Sequence, residues 1–234
     1  MKKLRSAFAA MLLLFISIAT AEAATKPARC MLDGANVDDY LWELYQKTPK
    51  IDSHGEFGHK DRIAARRAKV SLRDYVLGRA DCGVKKLAYK MLKAAEIEGH
   101  EPGVTTFFRD DFRQGMIKKG TRARKGWSFH GGSKRGGIAF AFDAVSRKGD
   151  TRAARLLNSQ KFWLWIDEHP EYKLGRPYKN KDAPHVAPLD GLEYKLVNMR
   201  KTWKLARAKS KLHATPTAKK RFAGKVFNKK KRFH

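Results

Sequence analysis

Apolar residues recur at helical spacing through much of the first hundred positions. Val37, Tyr40, Leu41, Leu44 and Tyr45 fall on one face of a helix over Val37 to Gln46. A break at Gly55 to Gly58 separates it from a second helical stretch, Asp61 to Lys69. Ser71, with Asp74 three residues on, reads as the cap of a third. Val84, Leu87, Ala88, Met91, Leu92 and Ala95 predict the longest N-terminal helix over 83–98, ended by the turn Gly99-His100-Glu101-Pro102-Gly103. After that turn the period changes. Val104 to Phe108, β-branched and aromatic, predicts a buried strand, Asp110 to Lys118 a helix, and Gly137 to Asp143 a second strand. Alternation there puts Ile138, Phe140 and Phe142 on one face and Ala139, Ala141 and Asp143 on the other. Arg152 to His169 reads as a helix stopped by Pro170, with Phe162, Trp163 and Trp165 as core, and His185–Val186 as a short extended piece between Pro184 and Pro188. This order predicts an α+β fold with a small, mostly antiparallel sheet and flanking helices.

The two ends of the chain change the picture. Lys2, Lys3 and Arg5, an apolar run from Ala7 to Thr20, and Ala21-Glu22-Ala23 form the pattern of a secretory signal peptide over 1–23. That run is short for a membrane span, so the expectation is an exported protein, periplasmic or secreted. The only two cysteines, Cys30 and Cys82, lie in the exported part, where an oxidising compartment favours one disulfide between them. At the other end, Met199 to His234 holds 14 Lys or Arg and no acid, out of a net charge of +28. This predicts a basic tail over 199–234, largely disordered or at most a fraying helix, suited to polyanions, here an anionic envelope polymer or membrane surface rather than a specific nucleic acid. Between these ends lie a helical region, 24–99, and a core, 100–198, expected to act as a monomer.

Candidate chemistry sits in three blocks. Arg109 ends the first predicted strand, Ser128-Phe129-His130 opens a glycine-rich loop that leads to Asp143, and Asp182-Ala-Pro-His185 follows. His54 and His59 lie among glycines that remove fixed geometry, and Ser133 and Lys134, being adjacent, point apart. In their order, the runs VTTFFRDDFRQG, KGWSFHGGSKRGGIAFAFDAV and KNKDAPHVAP resemble the zinc D-alanyl-D-alanine carboxypeptidases and the related L-alanyl-D-glutamate endopeptidases. The likeness spans roughly residues 100 to 190. It implies the fold of those metallopeptidases, Zn²⁺ held by His130, Asp143 and His185 with one open position, and peptidoglycan stem peptides as substrates. It further implies Asp182 as the base that takes a proton from water and returns it to the leaving amine. Arg109 would clamp a substrate carboxylate, and Ser128 would orient the loop or touch substrate.

One spacing departs from that pattern. Thirteen positions separate His130 from Asp143, six more than expected, and the surplus falls in GGSKRGG. Loop material of that kind extends at little entropic cost while its ends stay in place. Asp182 stands where the carboxypeptidases carry Glu, as in the endopeptidase branch. Two other readings stay open on the residues alone: a metal-free relative that binds the cell envelope, and a basic secreted protein that binds nucleic acid.

Overall fold

The computed structural model describes residues 29–50, 57–117 and 123–212. The expected signal peptide, His54 and the last part of the basic tail lie outside them. A two-stranded hairpin, β1 (Met31–Leu32) and β2 (Ala35–Asn36), leads into helix α1 (Val37–Lys47). Asn36 caps α1 by accepting from the Asp39 amide at 3.2 Å, and Asp38 and Asp39 favour its first turn. Helices α2 (Phe57–Ala68), α3 (Leu72–Leu77) and α4 (Cys82–Ile97) follow. Ser71 caps α3 as its sequence predicts, accepting from Asp74 N at 3.0 Å. The second helix starts earlier than expected and takes in His59.

Strand β3 (Pro102–Thr106), helix α5 (Asp111–Gly115), strand β4 (Phe142–Ser146), helix α6 (Arg152–Glu168) and strands β5 (Leu174–Gly175) and β6 (His185–Pro188) complete the sheet region, before helix α7 (Leu192–Leu212). The four-stranded sheet has the order β3-β4-β6-β5 with every pair antiparallel. The α+β class and antiparallel sheet therefore match the expectation. Helix α6 docks on β4 through Phe162, Trp163, Trp165 and Ile166, all buried, and Trp163 Nε1 donates to Ala144 O at 2.8 Å. Residues on both sides of position 99 share one hydrophobic core, from Val37 and Met91 to Phe142 and Val186. Cys30 and Cys82 form a disulfide, which fits an oxidising compartment. Among the described residues no helix is long and apolar enough to cross a membrane.

Two expectations are corrected. The predicted strand over Gly137 to Asp143 begins only at Phe142. Ala139 is threaded between two segments, its N–H donating to Arg79 O at 2.9 Å and its carbonyl accepting from Asp81 N at 3.0 Å. Only a methyl fits there, so Ala139 and Ala141 are fully buried while Ile138 and Phe140 remain 42% and 38% exposed. The small residues thus pack into the protein interior. The predicted disorder of the tail is corrected as far as Leu212, because α7 crosses position 199 without interruption. Its Lys, Arg, Ala and Leu residues are good helix formers, and packing of Glu193 and Val197 anchors the first turns.

Candidate metal centre

Strand pairing brings two of the three candidate ligands together. In the antiparallel β4–β6 ladder, Asp143 stands directly opposite His185. His130 reaches the same point from a loop. Its carbonyl accepts from Arg109 N at 2.6 Å and its amide donates to Ser128 Oγ at 3.2 Å, so Ser128 fixes the loop that carries the imidazole. The adjacent glycines are required. Gly131 has φ 121°, and a Cβ on it would strike the Phe108 ring.

His130 Nε2, His185 Nδ1 and Asp143 Oδ1 converge. The two ring nitrogens are 2.9 Å apart and lie 3.2 and 3.5 Å from the carboxylate oxygen. All three residues are buried. The outward nitrogens decide what the inward ones can do. His130 Nδ1 faces the Phe107 carbonyl at 3.0 Å, which can only accept, so the proton sits on Nδ1 and Nε2 presents a lone pair. His185 Nε2 faces Glu193 Oε2 at 3.0 Å, so its Nδ1 likewise presents a lone pair. Three buried acceptors thus face one another. Asp143 Oδ1 has no hydrogen bond despite both imidazoles nearby. Such a cluster requires a cation, either a proton or a metal ion.

The residues fit a metal. The three distances place each atom about 1.9 Å from the centre of their triangle, close to the ~2.0–2.1 Å reach of zinc to imidazole. Each histidine also has its outer N–H fixed by a carbonyl or a carboxylate, the support that orients metal-bound imidazoles. The ligand set, two imidazoles and a carboxylate without thiolate, suits a divalent transition-metal ion.

Without a metal the charges redistribute within the cluster. Burial and then Arg109 push the His130 pKa down. Burial acts to raise that of Asp143, but His130, His185 and Arg109 outweigh it and hold the carboxyl well below the ordinary range. Burial opposes charge on His185, yet Asp143 and Glu193 prevail and bring its pKa up to about 10.

The triad opens into a cleft of about 1070 Å³ that also takes in Arg109, Ser128, Tyr178, Asp182 and Glu193. Arg109 Nη1 lies 3.8 Å from Asp143 Oδ2. Asp182 sits on the rim, accessible to solvent yet walled by enough protein that burial, followed by Asp143, raises its pKa. Its carbonyl accepts from His185 N at 3.1 Å, which ties the carboxylate's segment to the imidazole. The structure therefore brings every candidate of the three sequence blocks to one cleft. Ser133 and Lys134 serve elsewhere: Ser133 Oγ donates to Asp111 Oδ2 at 2.6 Å, and Lys134 lies over Trp127.

Glu193 is the residue the sequence did not reveal. It sits in the first turn of α7, eight residues past His185, where an acid ordinarily reads as a response to the helix dipole. Tyr178 was also missed; its ring lies 5.6 Å from that of His185, and burial and Glu193 push its hydroxyl up to about 12. Replacing Glu193 by Gln should weaken divalent-metal affinity about 10–100-fold with little change in fold. Competition with a chromophoric chelator reads this, and unchanged affinity would remove Glu193 from the centre.

Compared with family models, curated proteins and solved structures, the chain matches none of them.

Proposed function

We propose that the chain is an exported zinc peptidase, with the fold of the D-alanyl-D-alanine metallopeptidases, that hydrolyses peptidoglycan stem peptides. The observation that carries the metal part is the trio of inward-facing acceptors, His130, Asp143 and His185, whose outer protons are directed away by Phe107 and Glu193. The substrate part rests on the order and content of the three sequence blocks.

Zinc at this position would polarise a peptide carbonyl and make water acidic. The chain's own residues supply the rest. Asp182, at the cleft rim, takes up a proton and passes it to the departing amine. Arg109 binds a substrate carboxylate with its planar guanidinium. Buried Ser128 holds His130 in place. The walls of the cleft limit access of bulk water to the ligands. Further along α7, Lys201 and Lys204 extend the positive charge and would hold the protein to an anionic envelope polymer or membrane.

The test is a digest of purified muropeptides by the zinc-loaded protein, read by mass spectrometry. Cleavage at one amide bond, abolished by a chelator and restored by zinc, is the expected result. Intact muropeptides at every zinc concentration would rule the peptidase out.

A further inference from the structure

The long excursion between His130 and Asp143 carries a second guanidinium into the cleft. Ser133–Arg135 form a single 3-10 turn, closed by Gly136 in the left-handed region at φ 80°. The turn is pinned at its base: Ser133 Oγ and N donate to the two Asp111 oxygens at 2.6 and 3.3 Å, and Lys134 N donates to Gly126 O at 2.9 Å. From this platform the Arg135 guanidinium lies over two aromatic rings, 4.8 Å from the centre of Trp127 and 4.4 Å from that of Phe129. Arg135 lines the same cleft as the triad.

Its donors have nothing to hold. The rings engage the face of the guanidinium but accept no strong hydrogen bond, and stacking fixes the plane of the fork. Arg135 Nε is buried without a partner, and so is Arg109 Nε, which lines the same cleft. No carboxylate pairs with Arg135 among the described residues. Buried N–H groups left idle are rare in a folded protein, and at a cleft they mark where a ligand's acceptor belongs. The charge balance agrees. Arg109, Arg124, Arg135, Lys181 and Arg200 line the cleft against Asp143, Asp182 and Glu193, and two of those three acids already face imidazoles.

We propose that Arg135 binds a second carboxylate of the substrate, so that the cleft selects peptides bearing two carboxylates, one held by Arg109 and one by Arg135. This deepens the peptidase reading and rests on it for the class of ligand. The surplus residues of the loop are then a specificity device.

The experiment is calorimetric titration of the zinc-loaded full chain, carrying Asp182→Asn so that peptides stay intact. Two synthetic probes are used: L-alanyl-D-glutamate, and the same dipeptide with the side-chain carboxylate amidated. A charge-assisted hydrogen-bonded pair at a partly buried site corresponds to tighter binding of the dicarboxylate by about tenfold or more. Adding Arg135→Gln should bring the two probes within about twofold, with Arg135→Lys between, because an ammonium keeps charge but loses the fork. Equal affinity for the two probes in the Arg135-containing protein overturns the proposal, and so does a preference that survives Arg135→Gln. Should Arg135→Gln not fold, the two-probe comparison in the Arg135-containing protein decides alone. Because binding is read and not turnover, uncleaved muropeptides would defeat the peptidase reading without touching this result.

Discussion

Replacing His130 by alanine should take zinc from about one ion per chain to near none and lower stem-peptide hydrolysis by at least about a thousandfold. The imidazole supplies one of three lone pairs, and a small divalent ion does not stay on the remaining two in a buried pocket. A second readout is independent of catalysis. Zinc bound only to the folded chain stabilises it by about 2.7 kcal/mol at a hundredfold excess over the dissociation constant. The wild type should therefore melt at a higher temperature with zinc than without, and His130→Ala should show no such difference. Full zinc occupancy in His130→Ala, by elemental analysis, would place the metal elsewhere. His185→Ala should behave alike, with the added cost of removing the imidazole that Glu193 faces at 3.0 Å in the buried site.

Parts of this centre were legible because they are local or periodic. The helical faces of α1 and α4 and the aromatic side of α6 repeat at short range, and each lies where its pattern predicts. The three chemical blocks were legible because each keeps its residues close in sequence. Their convergence was expected only through the family resemblance, not from spacing or periodicity. It depends on Asp143 standing opposite His185 across a strand pair, a register set by the whole sheet. The late start of the strand expected over 137–143 has the same origin. Alternation says which residues share a face, but the passage of Ala139 between segments 79–81 and 129–130 buries Ala139 and Ala141 and leaves Ile138 and Phe140 exposed, while Phe142, at the start of β4, is buried. Glu193 and Arg135 were hidden for a further reason. Each acts through a side chain brought from outside the blocks or from loop material with no periodicity, and only the fold gives them partners.

The support beneath Arg109 leads to the second large effect. Asp61 on α2 is buried, accepting from Arg113 Nε at 2.6 Å and from Tyr45 OH at 2.7 Å. Arg113, itself almost fully buried, belongs to α5, the helix that begins two residues after Arg109. Asp110 caps α5 by accepting from Arg113 N at 2.7 Å and is touched by Tyr75 OH at 3.1 Å. One buried network thus joins α1, α2 and α3 to the segment that aims Arg109 at the cleft. Asp61→Ala removes the carboxylate and leaves a guanidinium and a phenol in a site closed to water. Breaking a buried pair from one side costs about 3–5 kcal/mol, a large share of the ~5–15 kcal/mol that holds a domain together. Urea unfolding followed by circular dichroism measures it. Converting both partners, Asp61→Leu with Arg113→Met, should recover most of the loss, because no charge is then stranded. A single-variant loss below about 1 kcal/mol would mean that water reaches the pair. If the double variant is stable but binds carboxylate ligands more weakly with zinc content unchanged, the network's role is to hold Arg109 in position, separate from its part in the core.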